Sequence, residues 1–260
     1  MQYYTSKGVP MSGKYQNNFL KNVMARIDYN KNLYQISSDL PSSLKAKLKD
    51  QFPHVQRKSA IAEQIEMKCG SDPVRRHVKE NHWFFQGKNG DRALCIAPSF
   101  MWLDFKKYTD YADLRETFLT IADALLTAFP EVDDLGVNRF GLRYFNNIEL
   151  TESNLTDWTA YLNPDLISVF SIVDDKSAIA RAFNNLELNY GDLKLTFLYG
   201  MYNFEYPEPI RQKSFTLDFD GYIARQQTRE EIAGSLDDLH GKISAYFEKS
   251  ITDKFREMIR

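Results

Sequence analysis

Arginine side chains occur in two segments of this chain at positions where they could bind one anion together. Arg26 lies in one alternating apolar and polar segment, and Arg139 and Arg143 lie four residues apart in another. Neighbouring side chains of a strand point to opposite faces, so these arginines are predicted to point away from Ile27 and Tyr144. A guanidinium group holds a phosphate or carboxylate through two parallel hydrogen bonds. The spacing therefore predicts a groove that binds an anion or a phosphate group.

Carboxylates are predicted on the same sheet face as these arginines. Asp104 and Asp218 each stand between a leucine and a phenylalanine, and Glu66 and Lys68 alternate with apolar residues in a further strand. Aspartate next to arginine would neutralise a phosphate site, and cross-strand pairing of the two would simply solvate an exposed face. The sequence leaves both interpretations open. Replacing Arg143 by alanine separates them, since only a ligand site loses binding while the fold is kept.

Residues with the spacing of a common catalytic or metal site are absent from the sequence. It contains no phosphate-binding loop, no dinucleotide-binding glycine motif and no nucleophile elbow. None of the four histidines has a histidine or cysteine partner at the spacing of a zinc site, and His240 is expected to pack within a helix. Cys69 and Cys95 lie in strand-like segments and are expected to be reduced and buried. We therefore predict no catalytic residues, no metal and no cofactor.

The charge balance argues against a general affinity for nucleic acid or for an acidic membrane. The net charge is −2, so no basic field surrounds the molecule. The aromatic residues Trp83, Phe84, Phe85 and Trp102 could still stack on nucleobases, which leaves a nucleic-acid platform as a lesser alternative. The N-terminal segment has no apolar signal core, and no apolar run reaches the roughly 18 residues of a spanning helix. The prediction is a cytoplasmic protein without membrane contact.

The periodicity of apolar residues predicts the elements that position these side chains. A period of two predicts strands, and a stripe at positions three and four apart predicts helices. The first half is predicted to contain a strand over 19–29, a helix between 39 and 53, strands over 60–69, 82–87, 92–97 and 100–106, and a helix over 110–129, with an exposed connection over 71–81. The second half is predicted to contain a strand over 137–150, a largely helical stretch over 154–170, strands over 178–190, 193–203 and 214–225, and one long helix over 228–259.

The two halves share a short pattern that indicates an internal duplication. Leu103-Asp104-Phe105 and Leu217-Asp218-Phe219 each precede a tyrosine by the same distance. Arg26 and Arg143 precede these segments at nearly the same interval, and two matches in the same order are difficult to attribute to chance. The predicted organisation is a flexible N-terminus over 1–16 and two α+β repeats, over 17–132 and 133–260, in one continuous fold.

Each repeat has the predicted order β-α-β-β-β(-β)-α. Two such units in tandem would form an α+β fold in which one antiparallel sheet carries the long helices on one face. The order of elements is similar to that of the saddle in TATA-binding-protein-like folds and, less closely, to that of helix-grip folds. Neither similarity implies a function, since one fold carries many functions.

Three segments resemble a known bacterial protein family over nearly the whole chain. They are Tyr15-x-Asn-Asn-Phe-Leu-x-x-Val-x-Ala-Arg-Ile-Asp, Asn138-Arg-Phe-Gly-Leu-Arg-Tyr-Phe-Asn-x-Ile and Leu239-His-x-x-Ile-x-x-x-Phe-x-x-Ser-Ile-Thr. The Arg-x-Gly-Leu-Arg-Tyr-x-Asn core is the most specific part. The family that they resemble is an uncharacterised one of similar length, with a sporadic distribution among bacteria. The resemblance implies an accessory gene, of a kind that often serves in defence or toxin immunity, and it assigns no catalytic residues.

Three functional hypotheses follow from these observations. The leading one is a non-enzymatic binding protein that engages a protein partner through its charged sheet face or C-terminal helix and acts as a homo-oligomer. The alternative is a sensor or enzyme that binds a phosphorylated small molecule or nucleotide around Arg26, Arg139 and Arg143. The third is a nucleic-acid binder. Thermal stabilisation by nucleotides would favour the second hypothesis, and salt-dependent binding would favour the third.

Overall fold

Nine strands form one open antiparallel sheet. The computed structural model describes residues 15, 19–66, 74–130 and 136–260. In chain order the strands are β1 (Leu20–Tyr29), β2 (His54–Glu66), β3 (Val74–Gln86), β4 (Arg92–Ile96), β5 (Phe100–Phe105), β6 (Val137–Leu150), β7 (Ala182–Tyr190), β8 (Leu193–Met201) and β9 (Lys213–Ile223). Their order across the sheet is β2-β3-β4-β5-β1-β6-β9-β8-β7. The predicted α+β class with an antiparallel sheet is confirmed.

Strands β1 and β6 pair at the centre, and the two halves of the chain extend outward from this pair in the same way. β5, β4, β3 and β2 follow β1 on one side, and β9, β8 and β7 follow β6 on the other. In each half the first strand is central, the last strand lies beside it, and the other strands lie farther out. The first half has one more strand, β2, which pairs with the outer edge of β3.

Alternating side chains give the sheet two different faces. In β1, Val23 and Ile27 are completely buried on the face that carries the helices. Arg26 and Asp28 point to the other face, because successive side chains of a strand alternate. We call this second face, opposite the helices, the open face.

Five α-helices lie within the described residues: α1 (Ser42–Leu48), α2 (Tyr111–Ala128), α3 (Pro164–Ile167), α4 (Arg229–Ser250) and α5 (Asp253–Ile259). The side chain of Asp110 caps α2 by accepting a hydrogen bond from the backbone of Asp113, and Thr228 and Glu231 form a capping box at α4. The predicted apolar stripes of these two helices are buried: Leu114, Phe118, Ile121 and Leu125 in α2, and Ile232, Leu236, Leu239 and Ile243 in α4. None of the described helices is long and apolar enough to span a membrane.

The predicted single helix over 228–259 is wrong, because it is two helices. Ile251 is extended and forms a bridge with Leu162 after α4, and the side chain of Thr252 then caps α5. Phe255 and Ile259 are buried within the same chain. The last turns therefore pack on their own fold.

Two further segments differ from their predictions. Residues 74–81, predicted as an exposed connection, belong to β3 and pair with β2. Strands β2 and β3 extend beyond β4, which pairs only with residues 83–86 of β3. Charged side chains are solvated in this extension, so its sequence lacks the alternation of apolar and polar residues that predicts a strand. The predicted helix over 154–170 is limited to α3 and a 3-10 helix, Ser168–Ile172. The predicted flexible N-terminus, except Tyr15, and Cys69 lie outside the described residues.

Candidate functional site

The central strands bring three arginines and three aspartates together on the open face. Asp28 of β1 lies opposite Arg139 of β6, and Arg143 of β6 lies opposite Asp220 of β9. Strand alternation places all of these side chains away from the helices. We call the set the arginine–aspartate cluster; its members are Arg26, Asp28, Arg139, Arg143, Asp218 and Asp220.

Arg143 is held by Asp218 in a two-pronged salt bridge. Its Nε and Nη2 donate to Oδ1 and Oδ2 of Asp218 at 2.8 and 2.6 Å. The side chain of Asp218 is only 6% exposed, whereas that of Arg143 is 45% exposed. The hydrogen bond with Asp218 raises the pKa of Arg143 above its already high value. The guanidinium plane is thus fixed from below while its outer side remains accessible.

Asp28 joins the other two arginines of the cluster. Arg26 donates from Nε and Nη2 to Oδ1 of Asp28 at 2.8 and 2.6 Å. Arg139 places its Nη1 3.5 Å from Oδ2 of the same carboxylate. Both oxygens of Asp28 are therefore engaged, which holds two guanidinium groups of adjacent strands in one place.

Aromatic rings support the same arginines. The guanidinium carbon of Arg26 lies 4.2 Å from the ring centroid of Phe100, and that of Arg139 lies 4.6 Å from the ring of Tyr222. A cation over an aromatic face gains about 0.5–1 kcal/mol at exposed sites. Gly141 lets the Arg139 guanidinium approach, because a Cβ at Gly141 would lie 3.2 Å from its Nη1. The cluster is thus a packed surface rather than a set of free side chains.

Asp28 and Asp220 are not among the residues predicted from the sequence. Each lies two residues from a predicted one in the same strand, so the period of two could have identified both. Burial raises the pKa of Asp220, and the positive charges of Arg139 and Arg143 offset part of this rise. Burial therefore disfavours the charged form of Asp220, and the neighbouring arginines compensate only part of this effect.

Asp104, which is predicted on the same sheet face as Arg26, lies outside the cluster. It lies opposite Met24, while Arg26 lies opposite Trp102. Asp104 is 8% exposed, and its Oδ1 is buried without a hydrogen-bond partner among the described residues. Burial raises its pKa. Asp104 thus shares the sheet face of Arg26, but it is buried beside Asn22 instead of binding an arginine of the cluster.

The pairing register explains why the two Leu-Asp-Phe segments differ. Asp218 lies opposite Phe145 and binds Arg143, which is two residues before that partner. The position two residues before the partner of Asp104 is Asn22, and the side chain of Asn22 hydrogen-bonds with Asp104. Asn22, not Arg26, is therefore the counterpart of Arg143 in register.

Glu66 is not brought to this cluster. Glu66 is the last residue of β2, opposite Val74, and three strands separate β2 from β1. Lys68 lies outside the described residues. Of the seven predicted residues, the three arginines and Asp218 meet in the cluster, which also contains Asp28 and Asp220.

The composition of the cluster limits its chemistry. Three arginines face three aspartates, so the formal charge cancels and an anion gains little net attraction. No group of histidine, cysteine, aspartate or glutamate side chains that could hold a metal ion occurs in the described part of the chain. What the cluster offers is a set of fixed guanidinium groups beside aromatic rings.

The predicted aromatic platform is divided between the two faces. Trp83 donates its indole N–H to the backbone oxygen of Ile36, on the side of the helices, and Phe85 is buried. Phe84 and Trp102 remain on the open face, where their ring centroids lie 6.1 Å apart. Only these two aromatic residues of the predicted set adjoin the cluster.

A second polar network lies among the helices around His240. Its ring stacks on Tyr111 with centroids 3.7 Å apart, and its Nδ1 lies 2.9 Å from the hydroxyl of Tyr144. Tyr111 donates to Asp237, which also accepts two hydrogen bonds from Arg115. Burial lowers the pKa of His240 to about 4. The imidazole is therefore neutral near pH 7 and joins helix to sheet.

No protein-family model matches the chain, and no curated protein matches it significantly.

Proposed function

We propose that the protein is a non-enzymatic binding protein whose open sheet face engages a protein partner. The observation that carries the proposal is the arginine–aspartate cluster, in which guanidinium groups are fixed by carboxylates and rings before any partner arrives. Such preorganisation lowers the entropy lost on binding. Arginine, tryptophan and tyrosine are also the residues that most often dominate the energetics of protein interfaces.

The charge balance supports a protein partner over a free anion. Arg26 and Arg139 share the carboxylate of Asp28, and Arg143 is bound by Asp218. A phosphate would have to compete with these carboxylates. A protein surface can instead place its own acids and carbonyl groups over the exposed outer sides of the arginines, since interface potentials need to match only locally.

A tandem repeat is part of the same proposal. The matching order of the four inner strands of each half and the paired Leu-Asp-Phe segments support two copies of one unit joined at β1 and β6, as in a TATA-binding-protein-like saddle. The resemblance to a sporadic bacterial family adds the expectation of an accessory system, such as defence or toxin immunity.

Photo-crosslinking tests the location of the partner. A photoreactive phenylalanine derivative at Trp102, on the open face, is expected to capture one protein in cells of the source organism. The same derivative at Met258 of α5 is the control and is expected to capture none. Equal capture from both positions would contradict an interface on the open face.

Alanine variants then test the cluster itself with the captured partner. Arg143→Ala is expected to weaken binding about tenfold or more, as for a residue near the centre of an interface. Arg115→Ala is the matched control, because Arg115 makes a similar two-pronged salt bridge with Asp237 among the helices. Unchanged affinity in Arg143→Ala would show that the cluster only solvates the sheet.

A second candidate function is the binding of a phosphorylated small molecule. The observation that favours it is the accessible outer side of Arg143, whose side chain is 45% exposed. A nucleotide that binds only the folded state would raise the melting temperature, and Arg143→Ala would abolish the rise. Absence of any rise with a nucleotide panel would leave the protein partner as the better account.

A further inference from the structure

The outer edge of β7 has no strand beside it in the described part of the chain. β7 ends the sheet on one side and pairs only with β8. Its counterpart in the first half is β3, and the outer edge of β3 is covered along its length by β2. The fold itself therefore shows what this edge accepts, namely one more antiparallel strand.

The side chains of β7 are those of a strand that is normally covered. Phe183, Leu186 and Tyr190 are each 42% exposed, and Glu187 is the only charged residue among the nine. Natural edge strands are usually protected from pairing by charges or proline. β7 has almost no such protection.

The opposite edge of the sheet provides the contrast. β2 carries the charged residues Arg57, Lys58, Glu63 and Glu66. Charges at this density discourage the pairing of two copies. The difference between the two edges singles out β7 as the one suited to association.

We propose that β7 pairs antiparallel with β7 of a second copy, around a twofold axis at Leu186. Every residue of the strand then has a partner, and one sheet continues through both chains. A twofold contact of this kind closes on itself and gives a dimer rather than a filament. This dimer is separate from the open-face interface, so either proposal can fail without the other.

The backbone groups of β7 that point away from β8 are those that this register would pair. Gly191 has a φ of 77° and forms a two-residue turn with Asp192, so Tyr190 and Leu193 close the hairpin as a hydrogen-bonded pair. Alternate residues from Tyr190 backward then bond to β8. The intervening backbone groups, at 183, 185, 187 and 189, point outward. Pairing around Leu186 sets these outward groups opposite one another.

The charges also agree with a second copy as the occupant. In this register Glu187 meets Asn185 of the second copy and not another carboxylate, since the two positions are equidistant from the axis. Arg181 has no carboxylate partner among the described residues and stacks on Tyr202 at 4.5 Å. The turn that holds Asp192 arrives beside Arg181 from the second copy; Asp192 pairs with Arg225 of its own chain at 3.0 Å, and its side chain is still 70% exposed. Each dimer contains this opposite-charge contact twice.

A cleft next to β7 completes the contact. It has a volume of about 350 Å³ and is lined mainly by apolar side chains, including Phe170, Val173 and Ala182. Ala182 is the residue that faces Tyr190 of the second copy. In this register the tyrosine ring, which its own chain holds through the hydroxyl of Tyr246 and through Nζ of Lys242 at 4.2 Å from the ring centroid, lies at the rim of this apolar cleft.

The mass of the full chain in solution tests the proposal. Light scattering after size exclusion is expected to give twice the chain mass of 30.3 kDa for the wild type. Leu186→Lys and Leu186→Glu each set like charges opposite one another at the axis, and each is expected to give the mass of one chain. An equimolar mixture of the two variants is expected to return to the mass of a dimer, because lysine then faces glutamate.

Recovery of the dimer on mixing excludes misfolding as the reason for the monomeric mass, since an unfolded variant could not regain the dimer. Ile61→Lys on β2, which alters an exposed apolar residue of the opposite edge, is the control and is expected to remain dimeric. A monomeric wild type would overturn the proposal. So would a dimer that survives both substitutions at Leu186, or a mixture that stays monomeric.

Discussion

Arg143 shows how one residue can serve both the fold and a surface. Asp218 is almost completely buried beneath it, and the two hydrogen bonds from the guanidinium group compensate the carboxylate for the water it has lost. In the proposed interface, stability and binding would therefore depend on the same contact. An assay of binding alone would confuse the two.

Arg143→Ala is expected to lower the free energy of unfolding by about 2 kcal/mol, since it leaves Asp218 buried and without its donor. Arg115→Ala is expected to cost less than about 1 kcal/mol, because Asp237 is 46% exposed and regains water. Urea unfolding of both variants measures the difference. Equal losses would mean that burial of Asp218 has no energetic weight.

His240 is expected to make stability depend on pH. An unfolded histidine titrates near its ordinary pKa of 6.5, whereas burial lowers that of folded His240 to about 4. Between these values the unfolded state binds more protons, so the free energy of unfolding falls as the pH is lowered, by about 2 to 3 kcal/mol in all. His240→Phe keeps the stacked ring without the titrating group and should flatten the dependence between pH 6.5 and 4.

Chemical unfolding at a series of pH values measures this effect. His54→Gln, at an exposed position, is the control and should keep the slope of the wild type. A variant His240→Phe with an unchanged slope would show that the proton uptake comes from another group.

At the scale of elements, α5 gains its stability from a few buried contacts. Its seven residues are too few to hold a helix in water alone, and Phe255 stacks on Phe19 with centroids 5.7 Å apart. The extended residue Ile251 directs the chain back to make this contact possible. Short terminal helices of this kind depend on tertiary packing and not on propensity.

Phe255→Ala is therefore expected to destabilise the protein by about 3 kcal/mol, the usual cost of removing a buried ring. Met258→Ala in the same helix should cost less than about 1 kcal/mol, since Met258 is 36% exposed. Guanidinium unfolding distinguishes the two. A small loss for Phe255→Ala would mean that α5 is dispensable to the core.

The strands of the central sheet could be predicted from sequence because one of their faces is buried. Val23 and Ile27 must alternate with polar residues wherever the helices cover one side. The break at Ile251 could not be predicted, because the apolar stripe of α4 continues into α5 and periodicity does not register a change of direction. The projecting part of β3 was equally hidden, since solvent on both faces removes the alternation.

The membership of the cluster could be predicted only in part. Parity alone places Arg26, Arg139 and Arg143 on one face, and it does so independently of the register. Which carboxylate meets which arginine depends on how far one strand slides against the next. The pairing register differs between the two halves, so Asp104 pairs with Asn22 and Asp218 pairs with Arg143.

The whole molecule is two similar half-sheets that meet in one strand pair. β1 and β6 are paired along nearly all of β1 and lie more than a hundred positions apart in the chain. Every residue that joins the halves of the sheet is thus remote in sequence. Contacts of such long range are closed late, because the entropy of the intervening loop must be lost first.

During synthesis the ribosome releases β1 through β5 well before β6. Until β6 is made, β1 is the edge strand of an incomplete half-sheet and is open to pairing with a strand of a neighbouring nascent chain. Lys21, Arg26 and Asp28 place charges along this edge strand, and charged side chains discourage the pairing of one exposed edge strand with another. The charged side chains that lie in the middle of the finished sheet would thus first protect the unfinished sheet from pairing with another chain.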